Sequence, residues 1–540
     1  MGDSALVVDT ETTGDARALA RALSTRARGG ASGGTGLSGL EDVVTGFRSV
    51  TAVADPDVAD MDALAEAMAT VPFEPGSDTG GHQVAIPVEF DGPDLDDVAR
   101  LSGLTRDGVV ALLEATALEV AFVGFAPGFG YLVGLPGPLA DVPRRDRPRP
   151  AVPAGSVALG GGFAGVYPAA MPGGWQLVGR TGMTLFRPDV PPYALLAPGD
   201  TVRLVAARVG RASHHRARSL LVAGPTAPRL AVIEEPGLFT VVQDFGRVGV
   251  ASMGVPRAGA ADPDSLELAN RLVGNDPTAA GLECTARGPT MRLRTPAHVA
   301  VVGDAVVRLD GRSVPSELVL PVERDQVLEV GEIRGSLRSY VAVDGGIRTP
   351  IVLGSRSSDV LCGLGPGRLV TGDELGIGPP ARPHGRLRRP PPDAELPRLL
   401  RVVAGPDDFP ADALDRLCAQ TWTVGDASDR VGLRLTGAPI PGPAPTAASR
   451  RSSSRGVVTG TVQIPPDGIP IVLSCDHATV GGYPVPAVVV RADLGVLGRC
   501  RPGDPVRFEA VDLVGAARLR AERRRRLESQ VMGWFPTRSD

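Results

Sequence analysis

The stretch 459–484, TGTVQIPPDGIPIVLSCDHATVGGYP, decides how the chain is read. Thr461, Gln463 and Ile464 alternate as in a strand, and Pro465-Pro466-Asp467-Gly468 carries the residues of a tight turn. A second apolar strand, Ile469 to Leu473, runs into Asp476 and His477, followed by Gly481-Gly482 and Tyr483-Pro484. A β scaffold presents its chemistry where strands hand over to loops. Asp476 and His477 are therefore the first candidate functional residues. A plain hairpin with a polar tip fits the same pattern, so the rest of the chain has to choose.

A chain of 540 residues is too long for one core and predicts roughly three or four domains. Gly 69 and Pro 51 with only 4% aromatics point to many short elements joined by tight turns, hence to a β-rich architecture. A net charge of −5 gives no pull toward nucleic acid. All 56 basic residues are arginine. That excludes a phosphate-cradling P-loop lysine, a Schiff base, covalently attached biotin and a Ser-Lys amidase.

Cys284, Cys362, Cys418, Cys475 and Cys500 are far apart without any CxxC pair, which predicts neither a disulfide framework nor a zinc site and fits a reducing, cytoplasmic setting. The six histidines have no metal-ligand spacing, and His214-His215 reads as solvated, so no metal site is expected. The opening MGDSALVVDTE lacks the basic flank of a signal peptide. The uncharged runs 120–140 and 150–179 are broken by Gly and Pro and read as buried β and loop structure, not membrane spans.

In chain order, 1–85 reads as a small α+β domain: a strand at Leu6-Val7-Val8, a helix 15–28, a Gly/Ser-rich loop 29–39, a strand 49–53 and a helix 59–69. Residues 86–209 read as a first β-barrel, opened by a strand 84–89, with Asp94 and Thr105 as caps of two helices. The GGGFAG at 160–165 matches a dinucleotide fingerprint, but Val166-Tyr167-Pro168 follows where a helix is required, so that reading is rejected. After a linker at 210–229 come a β-rich module at 230–378 with a helix 263–273, a Pro-rich linker at 379–398, and a β module at 399–515 interrupted by a loop 441–454. The tail 516–540 is read as helical, with Arg523–Arg526 on a solvated face. PGDTVRL (198–204) returns as PGDPVRF (502–508), with a looser cousin TGDELGI (371–377), which predicts related barrels.

Two halves of the chain resemble two known partners. GFAPGFGYLVGLP (124–136), VPAGSV (152–157) and PGGWQLVGRT (172–181) resemble the B subunit of bacterial 5-oxoprolinase, also described as a sporulation kinase inhibitor. PGLFTVVQDFGRVG (236–249), ANRLVGND (269–276), VAVDGGIRTPIVLGSRS (341–357), SDRVGLRLTG (428–437) and the opening hairpin resemble its C subunit. The arrangement is similar to a natural B–C fusion; the same pair forms the carboxyltransferase region of urea carboxylase and carries the older name allophanate hydrolase subunits 1 and 2. The resemblance implies a mainly β fold with α+β parts, a small N-terminal domain followed by cyclophilin-like β-barrels. The sequence departs from the family at Leu113 (usually His), Phe163-Ala164 (often Gln-Thr), Arg455 (Glu) and Val485 (basic).

The resemblance further implies ATP-dependent opening of the 5-oxoproline lactam to glutamate, with ATP and Mg²⁺ as cosubstrates and a separate A subunit as partner. A small-molecule substrate, no nucleic acid and no membrane are expected, and a homo-oligomer is compatible. That chemistry needs positive charge against phosphates and a carboxylate to orient water. Without lysine, arginine supplies the charge: Arg430, then Arg356 and Arg180. Asp476 is the expected base, beside His477. Gln463, Tyr483, Gly482, Gln243 and Asp244 are the expected substrate or nucleotide contacts. Against each stands a structural reading, foremost that Arg430 simply pairs with Asp429 and that Trp175 is core. Two alternatives remain: a biotin-dependent carboxyltransferase, with biotin arriving on another protein, and a histidine-kinase inhibitor.

Overall fold

The computed structural model describes residues 1–29, 37–73, 81–210, 228–316, 318–380, 385–387, 396–407, 409–410, 412–442 and 454–533. Most of the Gly/Ser-rich loop, of both linkers and of the loop 441–454, together with His214-His215, lies outside them.

The first sheet has three strands, Ala5–Asp9, Ser49–Ala54 and Leu40–Thr45, with the middle strand paired antiparallel to both others. Helices Thr13–Gly29 and Met61–Thr70 pack on it through Leu19, Leu23, Leu64 and Met68.

Two closed barrels repeat one strand plan. In the first, Gln83–Val88 lies parallel to Thr201–Ala206, which pairs antiparallel with Leu118–Val123. The order continues through Gly130–Val133, Phe163–Val166, Ser156–Gly160 and Gln176–Arg180. Glu89 and Arg180 then exchange backbone hydrogen bonds of 2.9 Å, which shuts the ring. In the second, Arg398–Ala404 lies parallel to Pro505–Ala510, and the ring runs on through Trp422–Val424, Gly432–Thr436, Ile471–Leu473, Thr461–Gln463 and Ala487–Val489. Both PGD motifs thus deliver the strand that returns parallel to the first. The TGDELGI strand, Glu374–Ile377, instead pairs antiparallel with Arg229–Glu235, so it shares only the turn. Gln83–Val88 runs across the expected boundary at 85–86, and Arg398–Ala404 starts inside the expected second linker.

Between the barrels, residues 229–377 form a seven-stranded and a five-stranded sheet, with helix Pro263–Leu272 packed on the latter. GGGFAG is a β-hairpin, with Gly160 paired to Phe163. Among the described residues no helix is long and apolar enough to cross a membrane.

Two local expectations are corrected. Thr105 caps its helix by accepting from the Gly108 amide at 3.1 Å, but the Asp94 side chain caps nothing. Its carboxylate is buried and takes Arg145 at 2.9 Å, Arg149 at 2.7 Å and the Leu177 amide at 2.7 Å, because an ion pair outcompetes a lone amide for a buried charge. The tail helix, Leu513–Gln530, exposes Arg524, Arg525 and Arg526 as expected, but the helix is anchored to the rest of the chain rather than free in solvent. Arg523 and Arg526 hold the buried Asp264 of the middle module, Arg520 reaches Asp3 and Asp57 of the N-terminal domain, and Leu527 enters the core.

Candidate functional site at the junction of the halves

The hairpin Thr461–Gln463/Ile471–Leu473 is in register Val462 to Val472, and Gly468, at φ 77°, closes the turn by donating to Pro465 O at 2.9 Å. Beyond Leu473 the chain leaves the barrel, and the Asp476 amide donates to Arg430 O at 2.8 Å. Asp429 folds back onto its own turn, accepting from Val431 at 2.8 Å and Gly432 at 3.2 Å. Arg430 is therefore sent inward, and the expected pairing with Asp429 is replaced. Its Nε lies 2.8 Å from Asp476 Oδ2, its Nη2 lies 2.9 Å from Asp476 Oδ1 and 2.7 Å from Gly259 O, and its Nη1 donates to Glu283.

Glu283 is wholly buried and also accepts from the Ala261 amide and the Tyr340 hydroxyl at 2.8 Å each, with Arg338 at 3.2 Å. Burial pushes the Glu283 carboxyl up, but Arg430, Arg338 and these donors outweigh it and hold it below the usual range. For Asp476 burial wins over Arg430, and its carboxyl is pushed up to about 6. Arg430 stays charged, its burial overcome by Asp476 and the neighbouring acids. His477 points elsewhere: Nδ1 is 2.7 Å from Ala478 O, and burial lowers its pKa, so the ring is neutral with Nδ1–H donating.

The other predicted residues spread around this network. Gln463 sits opposite Ile471, at the turn end of the hairpin, whereas Asp476 follows the other end; its Nε2 is buried without a partner. Tyr483 is 46% exposed, and Gly482 beside it lies at the surface. Asp244 is consumed by its own turn and by the distant loop 355–357, accepting from Gly246, Ser355, Arg356 and Ser357. Gln243 is buried and donates to Ser358 O at 2.9 Å. Arg356 donates to Thr349 O through Nη1. Arg180 pairs with Glu89 and Asp91 on the seam of the first barrel, with no partner in the Arg430 network. Trp175 is core, against Phe129, Tyr131 and Phe163.

Sequence reasoning missed Glu283, Arg338, Arg247 and Asp359. The available sign was a charge in an apolar strand: Glu283 stands between Leu282 and Cys284, with every residue of Gly281–Cys284 buried.

The first half closes over this region. Gly124 of GFAPGFG approaches Val480 so tightly that a Cβ there would lie 2.6 Å from its side chain, and Gly128 donates to Met253 O at 2.9 Å. Ala258 donates to Cys475 O at 3.1 Å, Arg257 pairs with Glu41, and Asp42 accepts from the Ala251 amide at 2.9 Å. The departures from the family pattern lie in packing or in one compensated pair. Leu113, Phe163 and Ala164 are core. Arg455 meets Asp407 at 2.9 Å, and the same Asp407 accepts from the Val485 amide at 2.8 Å.

Two family models divide the chain. Residues 1–196 match the carboxyltransferase domain, subdomain C and D, and residues 253–510 match the carboxyltransferase domain, subdomain A and B. The chain belongs to the carboxyltransferase-domain family. Of curated members, the C subunit of 5-oxoprolinase from Escherichia coli (strain K12) is 35% identical over 304 residues, 54% of this chain and 94% of that one. The B subunit of 5-oxoprolinase from Escherichia coli O157:H7 is 40% identical over 178 residues, 32% of this chain and 81% of that one. The crystal structure of TTHA0988, 34% identical, superposes with a TM-score of 0.83 over 94% of this chain and 99% of that one. In this carboxyltransferase-domain protein both parts are one polypeptide, and the buried Arg430 network lies within the second part, next to the residues 251–257 that touch the first.

Proposed function

We propose that the chain supplies the B and C parts of an ATP-dependent 5-oxoprolinase, opening 5-oxoproline to glutamate together with a separate A subunit. The carrying observation is that one polypeptide matches a 5-oxoprolinase B subunit over its first part and a C subunit over the remainder, each across more than four-fifths of the relative.

In this reading water adds across the lactam C–N bond: its oxygen goes to the carbonyl carbon and its protons to the released amine and carboxylate. Asp476 handles a proton. Its carboxyl, at about 6, sits in the range where a group both accepts and returns protons near neutral pH. Both oxygens already accept from Arg430, but each keeps a further lone pair for a water or an N–H. Arg430 orients that carboxylate and keeps its charge.

The nucleotide is a different matter. Arg430, Arg180 and Arg356 are each engaged by carboxylate or carbonyl partners. Among the described residues no cluster of three His, Cys, Asp or Glu could hold a metal ion. These residues do not form a triphosphate–magnesium cradle, so phosphoryl transfer is assigned in this reading to surfaces completed by the partner, and no step is derived through it.

The test is ATP-dependent glutamate release from 5-oxoproline by this chain and an A subunit, separately and mixed. Activity only in the mixture is expected. A folded complex that releases no glutamate overturns the reading and turns attention to carboxyl transfer, which the family's description favours.

A further inference from the structure

Beside the Arg430 network lies a second set of polar atoms that no hydrogen bond uses. Gln243 Oε1, Arg247 Nη1, Ser358 Oγ and Asp359 Oδ2 are all buried and without a partner, and none of the four residues is more than 1% exposed. Buried polar atoms are seldom left open, and four on neighbouring residues point to something that fills them. They are held together. Gln243 Nε2 donates to Ser358 O at 2.9 Å, which fixes which end of the amide carries the free oxygen. Arg247 is pinned by Nη2 to Ser357 O at 2.6 Å and by Nε to Val352 O at 3.2 Å, leaving Nη1 free. Asp359 Oδ1 accepts from the Cys362 amide at 3.0 Å, and the Cys362 thiol beside it is a weak donor to the same carboxylate. Arg247 and Asp359 both act electrostatically on Asp476, so the set lies within charge reach of the proposed proton carrier.

The open atoms are two donors, Arg247 Nη1–H and the Ser358 hydroxyl, and two acceptors, Gln243 Oε1 and Asp359 Oδ2. A carboxylate would satisfy the donors but repel Asp359. A cation would satisfy the acceptors but repel Arg247. A neutral edge carrying C=O and N–H side by side satisfies both. We propose that Gln243, Arg247, Ser358 and Asp359 form a subsite for the amide edge of the substrate, its carbonyl oxygen received by Arg247 and Ser358 and its N–H by Asp359 and Gln243. The subsite rests on the cyclic-amide reading above, although a urea-type edge shares the same chemistry. The segment 351–365, which carries Ser358 and Asp359 and anchors Arg247, shows Ile351, Val360 and Leu361 to solvent and holds Leu353 at φ 52°.

The experiment measures affinity of the whole chain for 2-pyrrolidinone, N-methyl-2-pyrrolidinone, 5-oxoproline and urea, by ligand-observed NMR. The N-methyl lactam cannot donate, which leaves a buried acceptor unpaired, so 2-pyrrolidinone is expected to bind about tenfold or more tightly. Asp359→Asn keeps the acceptor for the Cys362 amide but can place a donor where an acceptor is needed, and is expected to bring the ratio near one. Ser358→Ala is expected to weaken both lactams together and leave the ratio unchanged. Equal binding of the two lactams by the native chain, a ratio unmoved by Asp359→Asn, or no amide binding at all overturns the subsite. If 5-oxoproline is hydrolysed with the partner while the ratio ignores Asp359, the functional reading stands and the subsite falls. If urea binds in an Asp359-dependent way and 5-oxoproline does not, the subsite stands and the cyclic-amide reading falls.

Discussion

Asp476 offers both carboxylate oxygens to Arg430, at 2.8 and 2.9 Å, and that arginine gives a further N–H to Glu283, 147 residues earlier in the chain. One cation therefore joins a loop of the second barrel to a strand of the middle module. Removing it strands two buried acids. Arg430→Met is expected to cost about 3–5 kcal/mol, since breaking a buried pair exposes the desolvation cost of the charge left behind. Asp476→Asn, which leaves Arg430 with Glu283 and Gly259 O and mimics the protonated acid that burial favours, is expected to change stability much less. Denaturant melts check both, and Glu283→Gln added to Arg430→Met should recover part of the loss.

The pH dependence of stability follows from the two acids that burial lifts to about 6, Asp476 and Asp42. Each binds its proton more tightly folded than unfolded, where the value is 3.8. Their contribution is complete below about pH 4 and is lost as pH rises through about 6, by about 1–3 kcal/mol each. Melts from pH 4 to 7 should show stability from these groups falling with pH. Asp476→Asn and Asp42→Asn should each flatten the slope, and the double variant should flatten it further.

The tail helix packs on the middle module through Leu527 and reaches the N-terminal domain through Arg520 and Arg524. Leu527 is 2% exposed, so Leu527→Ala is expected to cost about 2–5 kcal/mol. Arg524, whose side chain is 53% exposed beside Asp57, should change stability by less than about 0.5 kcal/mol as Arg524→Ala. Thermal melts of the two variants separate the terms.

Contact between the halves at GFAPGFG is set by the missing side chain of Gly124. Gly124→Val forces either Val480 or the whole loop to move, because a Cβ there would lie 2.6 Å from Val480. The expected result is a loss of about 1–3 kcal/mol with both barrels still folded, seen as faster proteolysis at the junction and intact far-UV circular dichroism.

The hairpin was legible because its causes are local: Pro-Pro-Asp-Gly makes a turn wherever it stands, and PGD before an alternating strand marks the same step in both barrels. Asp476 and Arg430 were legible as candidates, but not as partners of each other. Asp429 is the near neighbour, and only the fold shows that it bonds back to its own turn. Glu283 and Asp359 reach the site from the middle module, and nothing in a local window links them to a hairpin so far along the chain. Asp94 failed as a cap for the same reason, since Arg145 and Arg149 come from a loop and a strand start 51 and 55 positions away. Local turn chemistry carries the elements, and long-range charge pairing carries the site.

Proton handling near the junction of the halves rests, in the proposed function, on Asp476. The direct measurement is kcat for glutamate release from 5-oxoproline by the mixture with the A subunit, comparing the native chain with Asp476→Asn under saturating substrate. The predicted result is a fall of about 100-fold or more, with the complex still formed at the same stoichiometry. A variant that keeps kcat within about threefold, in an intact complex, contradicts that role.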